Sequence, residues 1–222
     1  MSKTMAPVEA GTRESLMDAA ESLFSERGIQ AASLRAITER AGANLAAVHY
    51  HFGSKQGLVR AVFSRRLAPL NAERLRRLAL CEAPGGSAGN MGSVGSVEGV
   101  LHAFLAPVLE MAREASHGAF GRLMGRAFME PDEEIREILI EQFSEVFNRF
   151  TGALARLLPE LPEREILWRF HFVAGALGHT VACGPLIERL SEGRCSMSGT
   201  EGAADHLVTF LAAGLRAPAP LT

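Results

Sequence analysis

Between Ser33 and Lys55 the chain sets out groups suited to holding a polyanion. Two short apolar-periodic stretches, Leu34 to Ala41 and Leu45 to His51, are separated by Ala41-Gly42-Ala43-Asn44. Glycine supplies a tight turn there, and Asn44 can cap the stretch that follows. This is the helix-turn-helix pattern, which lays its second helix in a major groove with the early residues at the base edges. Leu45, Ala46, Ala47, His49 and Tyr50 fall on the outward side, while Val48 and Phe52 turn inward. Phosphates find their own receptors. The start of the first short helix offers free backbone N–H groups with Ser33 and Arg35, and Ser54-Lys55 opens the next helix with a lysine. Both are anion sites, because a helix N-terminus carries unsatisfied donors and positive partial charge. Phosphate contacts set register and salt dependence, and base-facing side chains set sequence choice.

Other reactive residue types do not assemble into chemistry. Cys81, Cys183 and Cys195 are an odd, widely spaced set without a CxxC, which fits reduced thiols better than a disulfide frame or a zinc site. His171 and His179 lack a third ligand at suitable spacing, so no metal and no cofactor are expected. Gly85 to Gly89 spell a G-x-S-x-G, but a nucleophile elbow needs a buried strand before it and a helix after it. Here the flanks are a charged helix and more glycine. An enzyme using an apolar cavity therefore has no nucleophile–base pair to work with, and none is expected.

The elements that would position these groups are all helical. Apolar residues recur at helical spacing throughout, and no alternating strand pattern is sustained. The expected helices run from Thr12 to Arg27, Leu34 to Ala41, Leu45 to His51, Lys55 to Leu80, Val97 to Ala115, His117 to Glu130, Asp132 to Leu158, Glu163 to Leu190 and Glu201 to Arg216. The fold class is all-α with about nine helices. Thr12, Ser33, Asn44 and Ser54 are the expected N-caps. Residues 82–97 are rich in glycine and predict a flexible loop. The division expected is an N-terminal head at 1–54, with the start of helix four to about 63, and a body at 55–222.

Charge follows that division. The 222 residues carry a formal charge of −2. Residues 1–80 hold twelve Lys and Arg against seven Asp and Glu, a net +5, so the remainder carries −7. A basic first third suits a nucleic-acid-facing module. No unbroken apolar run approaches the roughly 20 residues that cross a bilayer, and the N-terminus lacks a signal-peptide pattern. A cytoplasmic chain with no membrane partner is expected.

The body has the materials of an effector pocket, which needs apolar walls and a few polar groups. Phe104, Val108, Met111, Phe120, Leu123, Met124, Phe128, Phe143, Phe147, Trp168, His171, Phe172 and Gly175 are the candidate walls. Arg122 and Arg126 could receive a carboxylate, or Arg126 could pair with Glu130 on a wet surface.

The segments LMDAAESLFSERG and SLRAITERAGANLAAVHYHFGSKQGLVRAVF, within Thr12 to Phe63, closely resemble the DNA-binding domain of TetR-family transcriptional regulators. The AG-x-N turn followed by HF-x-SK-x-x-L carries that resemblance. It implies base or groove contact from Leu45, Ala46, Ala47 and His49, behind the Asn44 cap, and phosphate contact from Ser33, Arg35, Tyr50 and Lys55. The family usually has tyrosine where this chain has His49. LWRFHFVAGAL and FLAAGLR look like a PsrA-like, fatty-acid-responsive subgroup. The resemblance further implies a homodimer through helices eight and nine, carried here by Ala174, Gly178, Ala182, Leu207, Phe210, Leu211 and Gly214. It also implies a palindromic double-stranded operator, a small hydrophobic effector that releases a repressor, and helix four as the connecting lever. A fatty acid or acyl-CoA is the expected effector, and a bulky drug-like molecule is the alternative.

Overall fold

The computed structural model describes residues 7–83, 95–113, 118–129, 132–195 and 201–220. Among them are nine helices and no strand: α1 (Pro7–Arg27), α2 (Leu34–Ala41), α3 (Leu45–Phe52), α4 (Lys55–Glu82), α5 (Val97–Arg113), α6 (Gly118–Met129), α7 (Glu133–Leu157), α8 (Glu163–Leu190) and α9 (Glu201–Arg216). The all-α expectation holds. One start differs: α1 begins at Pro7, ahead of the expected Thr12 cap, because proline suits a first helical turn. Most of the expected Gly-rich loop, with its Gly85–Gly89 motif, lies at 84–94, outside the described residues.

Packing divides the chain into two compact units. One comprises Met1–Ala68 with Gly118–Gln142, the other Pro69–His117 with Phe143–Thr222. The cut therefore falls inside α4, at Pro69, and inside α7, whereas the expected boundary at residue 54 separates roles. Proline has no N–H to give the carbonyl four residues earlier, so the α4 ladder lacks a rung there.

The first unit packs α1 against α2, α3 and α6. Leu16, Ala20, Leu23 and Phe24 of α1 are buried, as their spacing predicts, with Ile37, Val48, Leu58, Val62 and Phe63 from α2 to α4. Phe120 meets Phe63 edge-on at 6.3 Å, so α6 builds this core although it lies far along the chain. Polar pairs reinforce the assembly: Gln30 reaches Asp132, Gln56 donates to Glu134 at 2.8 Å, and Arg60 pairs with Glu141 at 2.7 Å. Arg126 donates to the Glu26 carbonyl at 3.3 Å, at the end of α1. That contact replaces neither alternative considered from sequence, since Glu130 lies outside the described residues.

The second unit packs α5 on α9 and α8, around Leu101, Phe104, Leu105, Val146, Phe150, Phe170, Val173, Leu177, Val208 and Leu215. Helix α8 is the most apolar of the long helices. It has 28 residues and an 18-residue window of mean hydropathy 1.3, so by length and composition alone it could cross a bilayer. It holds no unbroken apolar run of that length, because Arg169, His171 and His179 interrupt it. Arg169 is itself buried. Its Nη1 donates to the carbonyls of Gly214 (3.3 Å), Leu215 (2.8 Å) and Ala217 (2.6 Å), and its Nη2 to Pro218 (3.1 Å). The last carbonyls of a helix have no intrahelical donor, and a cation there also meets the favourable end of the dipole. Arg169 therefore caps α9 from α8.

Replacing Arg169 with Met, which keeps the stem and removes every donor, is expected to destabilise the protein by about 2–4 kcal/mol. Urea unfolding checks it, with hydrogen exchange fastest at the end of α9.

Candidate functional site

The helix-turn-helix is built from local signals that each find their partner. Ser33 stands in extended conformation ahead of α2, and its Oγ accepts from the Ala36 N–H at 3.2 Å. Gly42 ends α2 in the left-handed region (φ 63°), where its N–H reaches the Glu39 carbonyl, and Ala43 donates to Thr38 O at 3.0 Å. Asn44 then caps α3, with Oδ1 accepting from the Ala47 N–H at 2.9 Å. Ser54 does the same for α4, accepting from Gly57 N–H at 3.0 Å. Such a cap contributes about 1 kcal/mol, so two serines and an asparagine specify where three helices start.

One glycine carries a constraint that sequence reading missed. A Cβ on Gly57 would stand 1.9 Å from the Phe52 carbonyl oxygen, so α3 and the first turn of α4 can approach this closely only without a side chain. The sequence signal was a glycine inside a helix, where it is normally unfavourable.

The outward face of this unit is that expected. Leu45, Ala46, His49 and Tyr50 are exposed, Tyr50 at 70%, with Ala47 half-buried and Val48 fully buried beneath. Ser33, Arg35 and Asn44 are exposed and Lys55 is half-buried. The ring of His49 is oriented: Nδ1 lies 3.1 Å from the Gly53 carbonyl. A carbonyl only accepts, so Nδ1 carries the hydrogen and Nε2 faces away from this bond. Lys55 Nζ donates to Gln30 O at 3.1 Å, holding the segment that leads into Ser33.

The formal +5 of the first eighty residues is mostly engaged within the protein. Arg35 pairs with Glu39 at 3.0 Å across one exposed turn. Arg40 makes a two-pronged bond to Glu26 (2.7 and 3.2 Å) and another to Ser22, tying α2 to α1. Those two bonds, with Arg40 first and Ser22 second, hold the Glu26 carboxyl at about 2, from an ordinary 4.5. Arg65 and Arg66 of α4 both grip Glu21 of α1, at 2.7 and 3.0 Å, and Arg65 also reaches Asp18 at 2.7 Å. Beside them a cleft of about 440 Å³ is lined by Arg13, Met17, Phe52, Arg60 and Arg65 among others, and by none of the expected effector walls.

Those walls are distributed as follows. Phe120, Leu123, Met124 and Phe128 belong to the first unit, where Phe120 and Leu123 are core and Phe128 is exposed. In the second unit Phe104 is buried, and Val108, Met111 and Phe143 are half-buried. Phe147 meets Phe170 at 5.6 Å, and Phe104 meets Phe150 at 5.2 Å and Phe170 at 4.9 Å. Phe150 and Phe170 thus join a ring cluster that the expected set left out. Trp168, His171, Phe172 and Gly175 lie instead on the outer face of α8. They continue the exposed stripe of Ala174, Gly178 and Ala182, because residues 168, 171, 175, 178 and 182 share one helical face. On α9, Phe210 and Gly214 are exposed, Leu207 is half-buried, and Leu211 is core. Among the described residues no group of three or more His, Cys, Asp or Glu could hold a metal.

Residues 16–62 match the model for bacterial regulatory proteins of the tetR family, and residues 102–214 match a tetracyclin repressor-like C-terminal domain. The chain belongs to the TetR family. That family comprises transcriptional regulators, not enzymes. The HTH-type transcriptional repressor KstR2 of Rhodococcus jostii is 39% identical over 51 residues, a stretch that covers 23% of this chain and 25% of that repressor. Among solved structures, a fatty acid degradation regulator, FadR, from Bacillus halodurans superposes with TM-score 0.66 at 16% identity over 97% of this chain and all of its own. A SmeT–triclosan complex superposes with TM-score 0.61 at 20% identity, over 95% of this chain and 99% of its own. At these identities the likeness is one of fold. The matches reach the TetR family and stop short of the PsrA-like subgroup.

The Glu26 bond has a pH signature. A carboxyl whose folded value is lowered stabilises the fold fully above its ordinary 4.5 and loses that contribution as pH falls toward about 2. Glu26→Gln is therefore expected to melt lower than the native protein at pH 6, with the gap closing between pH 4.5 and 2, as followed by thermal melts.

Proposed function

We propose that this TetR-family protein is a cytoplasmic homodimeric repressor that binds a palindromic operator through α3 and releases it when a small hydrophobic effector occupies the second unit. The observation that carries the DNA-binding part is the capped α2–α3 pair, with Leu45, Ala46, His49 and Tyr50 exposed above a buried Val48. Leu45, Ala46, Ala47 and His49 read the groove, His49 through the Nε2 edge that its Gly53 bond leaves outward. Ser33, Arg35, Tyr50 and Lys55 take phosphates, and Arg35 exchanges Glu39 for a phosphate as it binds. Repression rather than activation is supported by KstR2, a transcriptional repressor similar over the DNA-binding segment.

The faces of α8 and α9 support the homodimer. The inner face of α8, at Ile166, Phe170, Val173 and Leu177, is buried in its own unit. Its outer stripe is nevertheless apolar: Trp168, Phe172 and Leu186 are exposed, as is Phe210 of α9 at 73%. A contiguous exposed apolar surface needs covering, and the small Ala174, Gly175, Gly178 and Ala182 let a facing helix come close. A two-fold interface would make the same stripe serve both subunits and set two copies of α3 on successive turns of a palindrome. Trp168, His171, Phe172 and Gly175 are accordingly assigned to the dimer face, which leaves the effector the ring cluster around Phe104. A fatty acid is the effector class favoured, in line with the fatty acid regulator of similar fold; triclosan in the SmeT complex speaks for the drug-like alternative.

Two measurements test this reading. In operator titrations across salt, Arg35→Ala is expected to lower the slope of log K against log salt by about 1 without changing sequence preference, whereas His49→Ala shifts preference at one base step. Absence of salt-dependent, sequence-specific binding to DNA upstream of the protein's own gene sinks the regulator reading. In sedimentation velocity, Phe210→Glu combined with Phe172→Glu is expected to turn a dimer into a folded monomer.

A further inference from the structure

The buried stripe of α4 in and beside the second unit reads Leu67, Leu70, Asn71, Arg74, Leu78 and Cys81. Arg74 holds a core position in that stripe and is 4% exposed. Its Nε donates to the Phe104 carbonyl at 2.9 Å, its Nη1 reaches Asn71 Oδ1 at 3.4 Å, and its Cζ stands 4.1 Å from the centre of the Phe104 ring. All three partners are neutral. Among the described residues no carboxylate pairs with it, although Arg77 next along α4 is bound by both Glu73 and Glu110. Burial pulls its pKa down to about 9, which still leaves it charged at neutral pH.

A buried cation without a counter-charge is costly, by several kcal/mol, and core arginines are normally paired. Arg169, within the same unit, has both kinds of partner: four carbonyls enclose it and the Glu165 carboxylate stands 3.5 Å from its Nε. Arg74 has a planar fork, an apolar setting that strengthens any charge interaction, and one neighbouring ring cluster: Phe104, Phe147, Phe150 and Phe170. We infer that Arg74 receives the single carboxylate of an acidic effector whose apolar chain or ring packs among those phenylalanines.

This rests on the reading of the second unit as an effector body and narrows it. One guanidinium neutralises one carboxylate with two parallel hydrogen bonds. A coenzyme A thioester, with several phosphates and no free carboxylate, does not match a lone buried cation, so the free acid is the form selected. The ring cluster gives way to the ligand, and the acid supplies the missing counter-charge as it enters.

The test uses the full chain with decanoic acid and 2-naphthoic acid, each beside its methyl ester, in thermal-shift and calorimetric titrations of the native protein, Arg74→Met and Arg74→Gln. The acids are expected to stabilise the native protein and to release it from operator DNA, with the esters weaker. Arg74→Met is expected to melt no lower than the native protein without ligand, since it removes an uncompensated charge, and both variants should bind the acids about tenfold or more weakly. If acids and esters act alike on native and variant proteins, the effector body stands and the role of Arg74 falls. If neither acid stabilises the native protein, the acidic effector falls, while operator binding remains judged by the salt titration. If both variants fail to fold, the guanidinium is a structural group and the inference is overturned.

Discussion

An eight-residue helix has no stability of its own. Nucleation costs more than two turns of hydrogen bonds return, so a helix as short as α3 exists only because its surroundings hold it. The first unit is organised around that constraint. Asn44 closes the start of α3, the His49–Gly53 bond braces its end, Val48 anchors its underside, and the missing side chain of Gly57 lets α4 press against its last carbonyls. One layer further out, Arg40 fixes α2 to α1 through Glu26, and Arg65 and Arg66 fix α4 to α1 through the buried Glu21. The exposed surface of α3 can then be made of small and weakly polar side chains, because none of them is needed to hold the helix.

This is why the DNA-facing unit was legible from sequence. Its determinants are local: a cap residue three positions before its amide, a glycine where the backbone turns left-handed, and apolar residues one helical turn apart. Each can be read in a window of a few residues, and the boundaries of α2, α8 and α9 fall where the pattern puts them. What escaped is long-range or two-sided. The membership of α6 in the first unit depends on Phe120 meeting Phe63 and on Arg126 reaching the end of α1, pairings that no local pattern encodes. The net charge pointed to the right module and overstated its free charge for a related reason. Formal charges add along a chain, but their field depends on pairing in space, and most cations of α1 to α4 already face a carboxylate.

Helix α8 shows the second kind of difficulty. Its apolar residues form two stripes, one through Ile166, Phe170, Val173 and Leu177 and one through Trp168, Gly175, Gly178 and Ala182. Periodicity announces an apolar helix and does not say which stripe belongs to the chain's own core. Residues of the outer stripe were therefore divided between pocket and interface, when geometry gives them one face. The same doubleness raises the mean hydropathy of α8 to a level that length and composition alone would allow in a bilayer. A helix that must satisfy its own unit on one side and present apolar surface on the other needs its angle fixed by something directional. Arg169, bonded to the carbonyl end of α9, does that, because four hydrogen bonds hold the pair in one register where apolar contact alone would let it slide.

The two buried arginines of the second unit then define what kind of body it is. Arg169 is satisfied by backbone carbonyls and by the Glu165 carboxylate one turn earlier, and contributes to the fold. Arg74 is given a carbonyl, an amide and a ring, which solvate a charge but do not neutralise it. Folding alone would favour an apolar side chain at that core position of α4, so the retained charge is a cost that a ligand can offset and the free protein cannot. Its location on the chain gives that offset consequence. The helix that carries Arg74 also carries Arg65 and Arg66, the residues that clamp α1, and between them stands Pro69, which withholds a hydrogen bond from the Arg65 carbonyl. A change in how tightly Arg74 is held is thus made on the same helix that carries Arg65 and Arg66, beyond the turn where that helix lacks a rung of its ladder.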